Sequence, residues 1–151
     1  ADRELVLEAV RENAWVLECA ADPLRGDREL VLEAVRQKGF ALRYAAEPLK
    51  ADREVVFVAV RASSLALGSA AEPLFSDREL VLEAVRGDGM ALKWASEPLQ
   101  ADRELVRGDG MALKYAAEPL KADHELVLEA VRQNPRSLVW AADPLKADPL
   151  L

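Results

Sequence analysis

One cysteine, Cys19, and one histidine, His124, are the only residues of their kinds in the chain. A single cysteine excludes an internal disulfide, and the pair lacks the spacing of a metal site, so no metal or cofactor is expected and the redox compartment stays open. No apolar run approaches the roughly 18 residues that a membrane-spanning helix needs, and no basic-then-apolar signal segment opens the chain. Positive charge is also short: 27 acidic against 20 basic residues give a net charge of -7 over 151 residues. That balance opposes binding to phosphate backbones and anionic membranes. The chain starts at Ala1 rather than Met, which reads as a processed or internal piece of a longer product. What is present, 51% hydrophobic and 31% charged residues, suits a soluble, globular chain with a real core, and an intracellular setting is favoured.

The dominant feature is repetition, which has to be settled before any local reading. Asp-Arg-Glu recurs at Asp2, Asp27, Asp52, Asp77 and Asp102, always 25 residues apart, and returns as Asp123-His124-Glu125 after only 21. The units are therefore 2–26, 27–51, 52–76, 77–101, 102–122 and 123–147, with 148–151 opening a seventh. In the second unit Leu30, Val31, Ala34 and Val35 fall at helical spacing, predicting an amphipathic helix of about ten residues. Asp27 suits its N-cap, Glu29 its positive end, Arg36 its negative end, and Gly39 a stop just beyond. Phe40 to Ala46 predict a shorter second helix with Leu42, Ala45 and Ala46 on one side. Pro23, Pro48, Pro73, Pro98, Pro119 and Pro144 each follow Asp or Glu and precede Leu, a pattern that starts a new turn with the acid as its cap.

Two short helices cannot bury their apolar faces alone, whereas stacked copies form one continuous core. The expected fold is all-α: an α-solenoid of six helix-turn-helix repeats of about 25 residues in a single domain, the fifth shortened by four. Small residues at one position of every unit, Ala20, Ala45, Ala70, Ala95, Ala116 and Ala141, suit closely packed seams. The shortening is visible as "DRELVRGDG" in unit five against "DRELVLEAVRGDG" in unit four. Losing Leu-Glu-Ala-Val removes roughly 1.1 turns and rotates the downstream residues by about 40°, so Leu105 and Val106 still face the core while their helix becomes short.

The unit pattern, Asp-Arg-Glu, Leu-Glu-Ala-Val, a turn glycine and Tyr-Ala before Glu-Pro-Leu, resembles the tandem repeat called domain of unknown function 4116 (DUF4116), over essentially the whole chain. The resemblance implies helical modules of large multi-repeat proteins, notably of unicellular algae and some bacteria, and brings no catalytic motif. Departures are local: Ala14, Ser64 and Pro135 stand at the turn-glycine position, and Cys19 and Ser69 at that of the aromatic.

Several candidate sites have plainer readings. Arg25-Gly26-Asp27, Arg86-Gly87-Asp88 and Arg107-Gly108-Asp109 spell an adhesion tripeptide, but they occupy different places in their units, as chance in an Arg-, Gly- and Asp-rich repeat would place them. Glu4 with Glu8, Glu29 with Glu33 and Glu79 with Glu83 lie four apart on one helix face, but Arg11, Arg36 and Arg86 follow at pairing distance and no third ligand converges. Tyr44, Trp94, Tyr115 and Trp140 share one position and read as seam packing, Cys19 as a small core side chain, and His124 as a surface variant of the repeated Arg.

Two strips vary between copies: Glu18, Arg43, Gly68, Lys93, Lys114 and Val139, and Arg25, Lys50, Phe75, Gln100, Lys121 and Lys146. From them the candidate partner surface is Phe75, Arg43, Lys50, Lys93, Lys114, Lys121 and Lys146, with Phe75 as the apolar anchor. No catalytic group is expected and the chain is read as no enzyme. The implied function is a non-catalytic protein-protein interaction scaffold whose partners are other proteins, or further repeats of the same chain at both ends. Ends that begin at a unit boundary and stop inside another suggest a narrower form, an accessory subunit of a large assembly, and the resemblance implies an organellar one, for instance photosynthetic. The competing class is a helical-repeat nucleic-acid binder, which the modularity allows and the acidity opposes.

Overall fold

The structure, a computed structural model, describes residues 2–149 and 151. Among these residues there are helices and no strands. One leading α-helix per unit carries the architecture, long in five units and short in the fifth: Arg3–Glu12, Arg28–Gln37, Arg53–Ala62, Arg78–Gly87, Arg103–Arg107 and His124–Gln133. Each starts from the Asp of its unit, whose carboxylate accepts one or two backbone N–H groups of the first turn, as Asp27 does from Glu29 and Leu30. That satisfies donors which a helix start otherwise leaves orphaned.

The second element is a 3-10 helix in units two to six, Gly39–Tyr44, Ser64–Ser69, Gly89–Trp94, Gly110–Tyr115 and Pro135–Trp140; unit one has a four-residue α-turn, Val16–Cys19, in its place. An α-helix over Phe40 to Ala46 was the expectation, and the tighter winding changes which side chains share a face. With three residues per turn, residues three apart eclipse one another. Gly39, Leu42 and Ala45 form one buried row, Phe40 and Arg43 an exposed row, and Ala41 with Tyr44 a row that is buried or half-buried. This explains why Tyr44 packs while Arg43 beside it is free in solvent.

The glycine that opens this segment is not a helix stop. No described glycine has a positive φ, and the long helix ends at an extended residue, Lys38, with φ -140°. A Cβ built on Gly39 would lie 2.2 Å from the carbonyl oxygen of Ala59 in the next unit, so glycine serves close approach between units. Gly89 and Gly110 are equally tight, with backbone atoms of the following unit at 2.6 Å. Where Ser64 replaces this glycine, the facing residue is Gly87, which has no side chain to meet the serine hydroxyl.

A third element, the Glu-Pro-Leu turn, closes each unit, as in Glu47–Lys50. The acid is not its cap: Ala46 holds that position without a side-chain bond, and Glu47 and Pro48 are the first two helical residues. Proline fits there because its missing N–H would have had no partner.

Stacking then covers each unit with the one before it. Leu30, Val55, Leu80, Leu105 and Leu126 are 0% exposed, whereas Leu5, at the same position in unit one, is 64% exposed. Burying such a leucine contributes about 1.5–3 kcal/mol, so the core lies in the seams rather than inside any one unit. Most of the repeated alanines sit in those seams: Ala20, Ala45, Ala95, Ala116 and Ala141 are buried, and Ala70 is partly so. The helix of unit five has five residues, Arg103–Arg107, and its Leu105 and Val106 remain buried. Cys19, by contrast, is exposed: of the four-residue α-turn Val16–Cys19 only Leu17 is buried, and the core reading of Cys19 is corrected.

Candidate functional site

Two recurring sets of interactions link the units. The first is a backbone bond from the end of each proline turn: the carbonyls of Arg25, Lys50, Phe75, Gln100 and Lys121 accept from the amides of Ala46, Ala71, Ser96, Ala117 and Ala142 in the next unit, at 2.8–3.0 Å. The second runs along the long helices. Arg3, Arg28, Arg53 and Arg78 each donate from Nε to the capping Asp of the next unit, at 2.6, 2.9, 2.6 and 2.7 Å, and from Nη2 to the Glu two residues further on. The Asp-Arg-Glu triplet is thus a relay, in which Asp and Glu receive the preceding unit's arginine while Arg reaches forward. His124 continues it to Asp148 at 3.1 Å.

The clamp acts on the titration of its acids. Arg3, Arg28 and Arg53 hold Asp27, Asp52 and Asp77 below the usual carboxylate range, against the opposing effect of burial and with help from the cap amides. For Asp102 partial burial is the largest single influence and pushes upward, but Arg78 and the Glu104 and Leu105 amides together bring it down. Asp123 is lowered first by the Leu126 amide, because Arg103 is less well aligned: its Nε lies 3.2 Å from the carboxylate and is buried without a hydrogen bond.

These bonds absorb most of the residues with catalytic or adhesive appeal. Glu29 and Glu79 belong to the clamp, and Glu33 lies 3.8 Å from Arg36 on its own helix. Arg61 and Arg107 reach forward instead, to Glu83 and to Glu129 with Glu125. In the three Arg-Gly-Asp triplets, Asp27 caps a long helix, while Asp88 and Asp109 cap the 3-10 helices by accepting from Met90 and Met111. Among the described residues no three His, Cys, Asp or Glu gather as a metal site.

The candidate partner residues separate into two environments. On the proline turns, Lys50, Lys121 and Lys146 each pair at 2.9 Å with the acid three residues back, Glu47, Glu118 and Asp143. Arg25 and Gln100, at the same position, turn back onto carbonyls of their own units. Phe75 is half-buried against the core. On the 3-10 helices, Arg43, Lys93 and Lys114 are exposed and each lies over the ring that follows it, at 5.3 Å from Tyr44, 4.2 Å from Trp94 and 5.2 Å from Tyr115. Such contacts leave the charge in solvent and available.

The rings lean back onto the preceding unit. Tyr44 meets Trp15 edge to face at 6.0 Å, and burial together with the Glu18 carboxylate raises its phenol above the ordinary value. Trp94 rests on Gly68, where a Cβ would fall 2.4 Å from the indole. Unit three has Ser69 at this position and no ring, and an open notch of about 640 Å³ lies there, between Arg43 and Lys50 of unit two and Trp94 of unit four. Arg43 and Lys50 are thus the two candidate residues brought together; Phe75, Lys93, Lys114, Lys121 and Lys146 lie outside the notch. Phe40, Ser69 and Trp94 line the notch as well, and the Gly68-Ser69 pair, standing where neighbours have a cation and an aromatic, was its trace in the sequence.

The family model described as "Domain of unknown function (DUF4116)" matches residues 2–50, 27–75, 77–108 and 103–146. No curated protein and no solved structure matches the chain. No helix among the described residues is long and apolar enough to cross a membrane.

Proposed function

The chain belongs to the DUF4116 family, and from its stacked units we propose that it is a non-catalytic scaffold that binds other proteins through the exposed row of its 3-10 helices. One observation carries this reading. The inward position repeats unchanged, with Leu42, Leu67, Leu92 and Leu113 buried and Leu138 partly so, while the exposed position beside it runs Arg43, Gly68, Lys93, Lys114 and Val139. A constant frame presenting a varied row is how repeat proteins fit an extended partner. A place as accessory subunit of a large organellar assembly is the narrower form of the same proposal. The outer face of unit one, with Leu5 uncovered, is complementary to another helical unit and supports the idea of further repeats as partners.

The test is affinity capture with the whole chain and with Arg43→Glu/Lys93→Glu/Lys114→Glu, a triple variant of exposed side chains that leaves the core untouched. Proteins recovered by the parent chain and lost by the variant support the scaffold; an identical set from both removes this face. The competing nucleic-acid reading draws on the cation-and-ring pairs, which resemble base-stacking platforms. It is checked by titrating labelled RNA and DNA at low salt, where binding that weakens steeply with added salt would displace the scaffold reading.

A further inference from the structure

We propose that the notch at Ser69 is a docking site for an acidic peptide segment that inserts one large apolar or aromatic side chain, an inference that rests on the scaffold reading and names its partner's chemistry. The shape argument comes from the neighbours. Where the ring is present it lies against the preceding unit: Tyr44 meets Trp15 edge to face, and Trp94 rests on Gly68. A ring at position 69 would lean over Phe40 and Arg43 of unit two, and these residues line the notch instead. The space therefore lacks one aromatic side chain, and its walls are those that elsewhere accept one.

Its walls are also apolar enough to hold such a group. Phe40 on the exposed row, Leu65 and Trp94 supply apolar lining. At about 640 Å³ the notch is of ordinary ligand-site size, and a buried aromatic anchor is the usual centre of a protein contact. Charge selects the flanks. Lys50 and Glu47 neutralise one another at 2.9 Å, which leaves the Arg43 guanidinium as the net charge of the lining, with Lys93 beside Trp94. Neither cation has a carboxylate partner among the described residues, so acidic residues next to the inserted side chain complete both. A long polyanion fits less well, because Glu47 lies in the lining and the chain carries -7.

The experiment screens a random 12-residue peptide display library on the whole chain and measures the best selected peptide by fluorescence anisotropy. Selected sequences should place one Trp, Phe or Leu beside Asp or Glu. Ser69→Tyr, which restores the residue found in units two and five, should weaken that peptide at least tenfold, as should Arg43→Glu, while Arg132→Ala, an exposed change on a long helix away from the notch, leaves it unchanged. Should Ser69→Tyr disturb folding, Arg43→Glu decides alone, since that side chain is exposed. A peptide indifferent to both variants overturns the notch and leaves the scaffold standing; failure to select any peptide while affinity capture still recovers partners does the same. Failure of both experiments ends both readings. Selected peptides without acidic residues overturn the charge argument, and a labelled U12 oligonucleotide that binds the parent chain and is lost with Ser69→Tyr assigns the notch to nucleic acid instead.

Discussion

Gly39→Ala tests what holds the seams, because its sign depends on a single contact. Gly39 has no positive φ, so alanine costs no backbone strain. Restricting the unfolded chain would by itself stabilise the protein by about 0.4–1 kcal/mol. Against this, the new Cβ would stand 2.2 Å from the Ala59 carbonyl oxygen and 2.9 Å from the Ser63 amide nitrogen, neither of which can swing aside. Restoring ordinary contact opens the seam between units two and three by about 1 Å, and overpacking of this kind costs about 1–3 kcal/mol. The net expectation is destabilisation by about 1–2 kcal/mol, a fall in thermal midpoint of about 2–8 °C at this chain length. Gly26→Ala is the control. It ends a proline turn with φ -90°, its nearest neighbour would be the Pro23 carbonyl oxygen of the same turn at 3.5 Å, with Ala46 of the next unit at 3.9 Å, and Ala51, Ala101, Ala122 and Ala147 hold the same position with φ between -93° and -98°. It should rise by about 0.4–1 kcal/mol. Circular-dichroism melts of both variants suffice: if Gly39→Ala gains as much as Gly26→Ala, the seam has room for a methyl group and close approach is not why glycine stands there.

The other expectations concern the relay and the short unit. Asp77→Ala should cost more than Asp2→Ala in urea denaturation, because Asp77 has a cap worth about 0.5–2 kcal/mol and also receives Arg53, whereas Asp2 has the cap alone; equal losses would mean the clamp adds nothing. Asp27, Asp52, Asp77, Asp102 and Asp123 all titrate below their unfolded values, so the stability they add is complete above the ordinary carboxylate range and is lost as pH falls through the depressed values. Their contribution should stay constant from neutrality to about pH 5 and fail below about pH 4, and a loss centred between pH 7 and 5 would refute their role. In hydrogen exchange, the Val106 amide of the shortened helix should exchange at least about tenfold faster than those of Val81 and Val127, its counterparts in full-length helices; equal protection would show that the short unit opens only with the whole array.

Local rules read the long helices well and the seams poorly. The Asp cap, the apolar stripe and the shortened fifth helix all follow from spacing within one unit, and periodicity of 25 residues makes stacking unavoidable. The partner of each Arg escaped because it lies 20–26 residues ahead, whereas pairing rules for helices look three or four residues away. Its strict recurrence between Asp and Glu was the trace it left. The second helix was mistyped because six residues cannot separate a period of 3.0 from one of 3.6; only the exposure of Arg43 beside packed Tyr44 distinguishes them. Gly39 misled for a different reason: a glycine after a helix suits a left-handed cap as well as a close contact, and only the position of the next unit decides. The notch was hidden by the same limit, since Gly68 and Ser69 matter only because Arg43 and Trp94 flank them from other units.

The relay also explains how unit five survives the loss of four residues. The recurring contacts that join one unit to the next lie at its two ends: Asp102, Arg103 and Glu104 at the start, and the Ala117 amide, bonded to Gln100, near the finish. The deletion falls between them, so both sets form with the short helix in place. The middle is repaired locally. Asp109 caps its own 3-10 helix through Met111 and also accepts from Gly89 of unit four at 3.0 Å, while Arg107 reaches Glu129 of unit six at 2.9 Å. The misaligned Arg103 on Asp123 is where the shortening leaves its mark. A repeat joined at its ends can change length in its middle without losing its place in the stack, whereas replacing Asp102, Arg103 or Glu104 leaves the length intact and opens a seam.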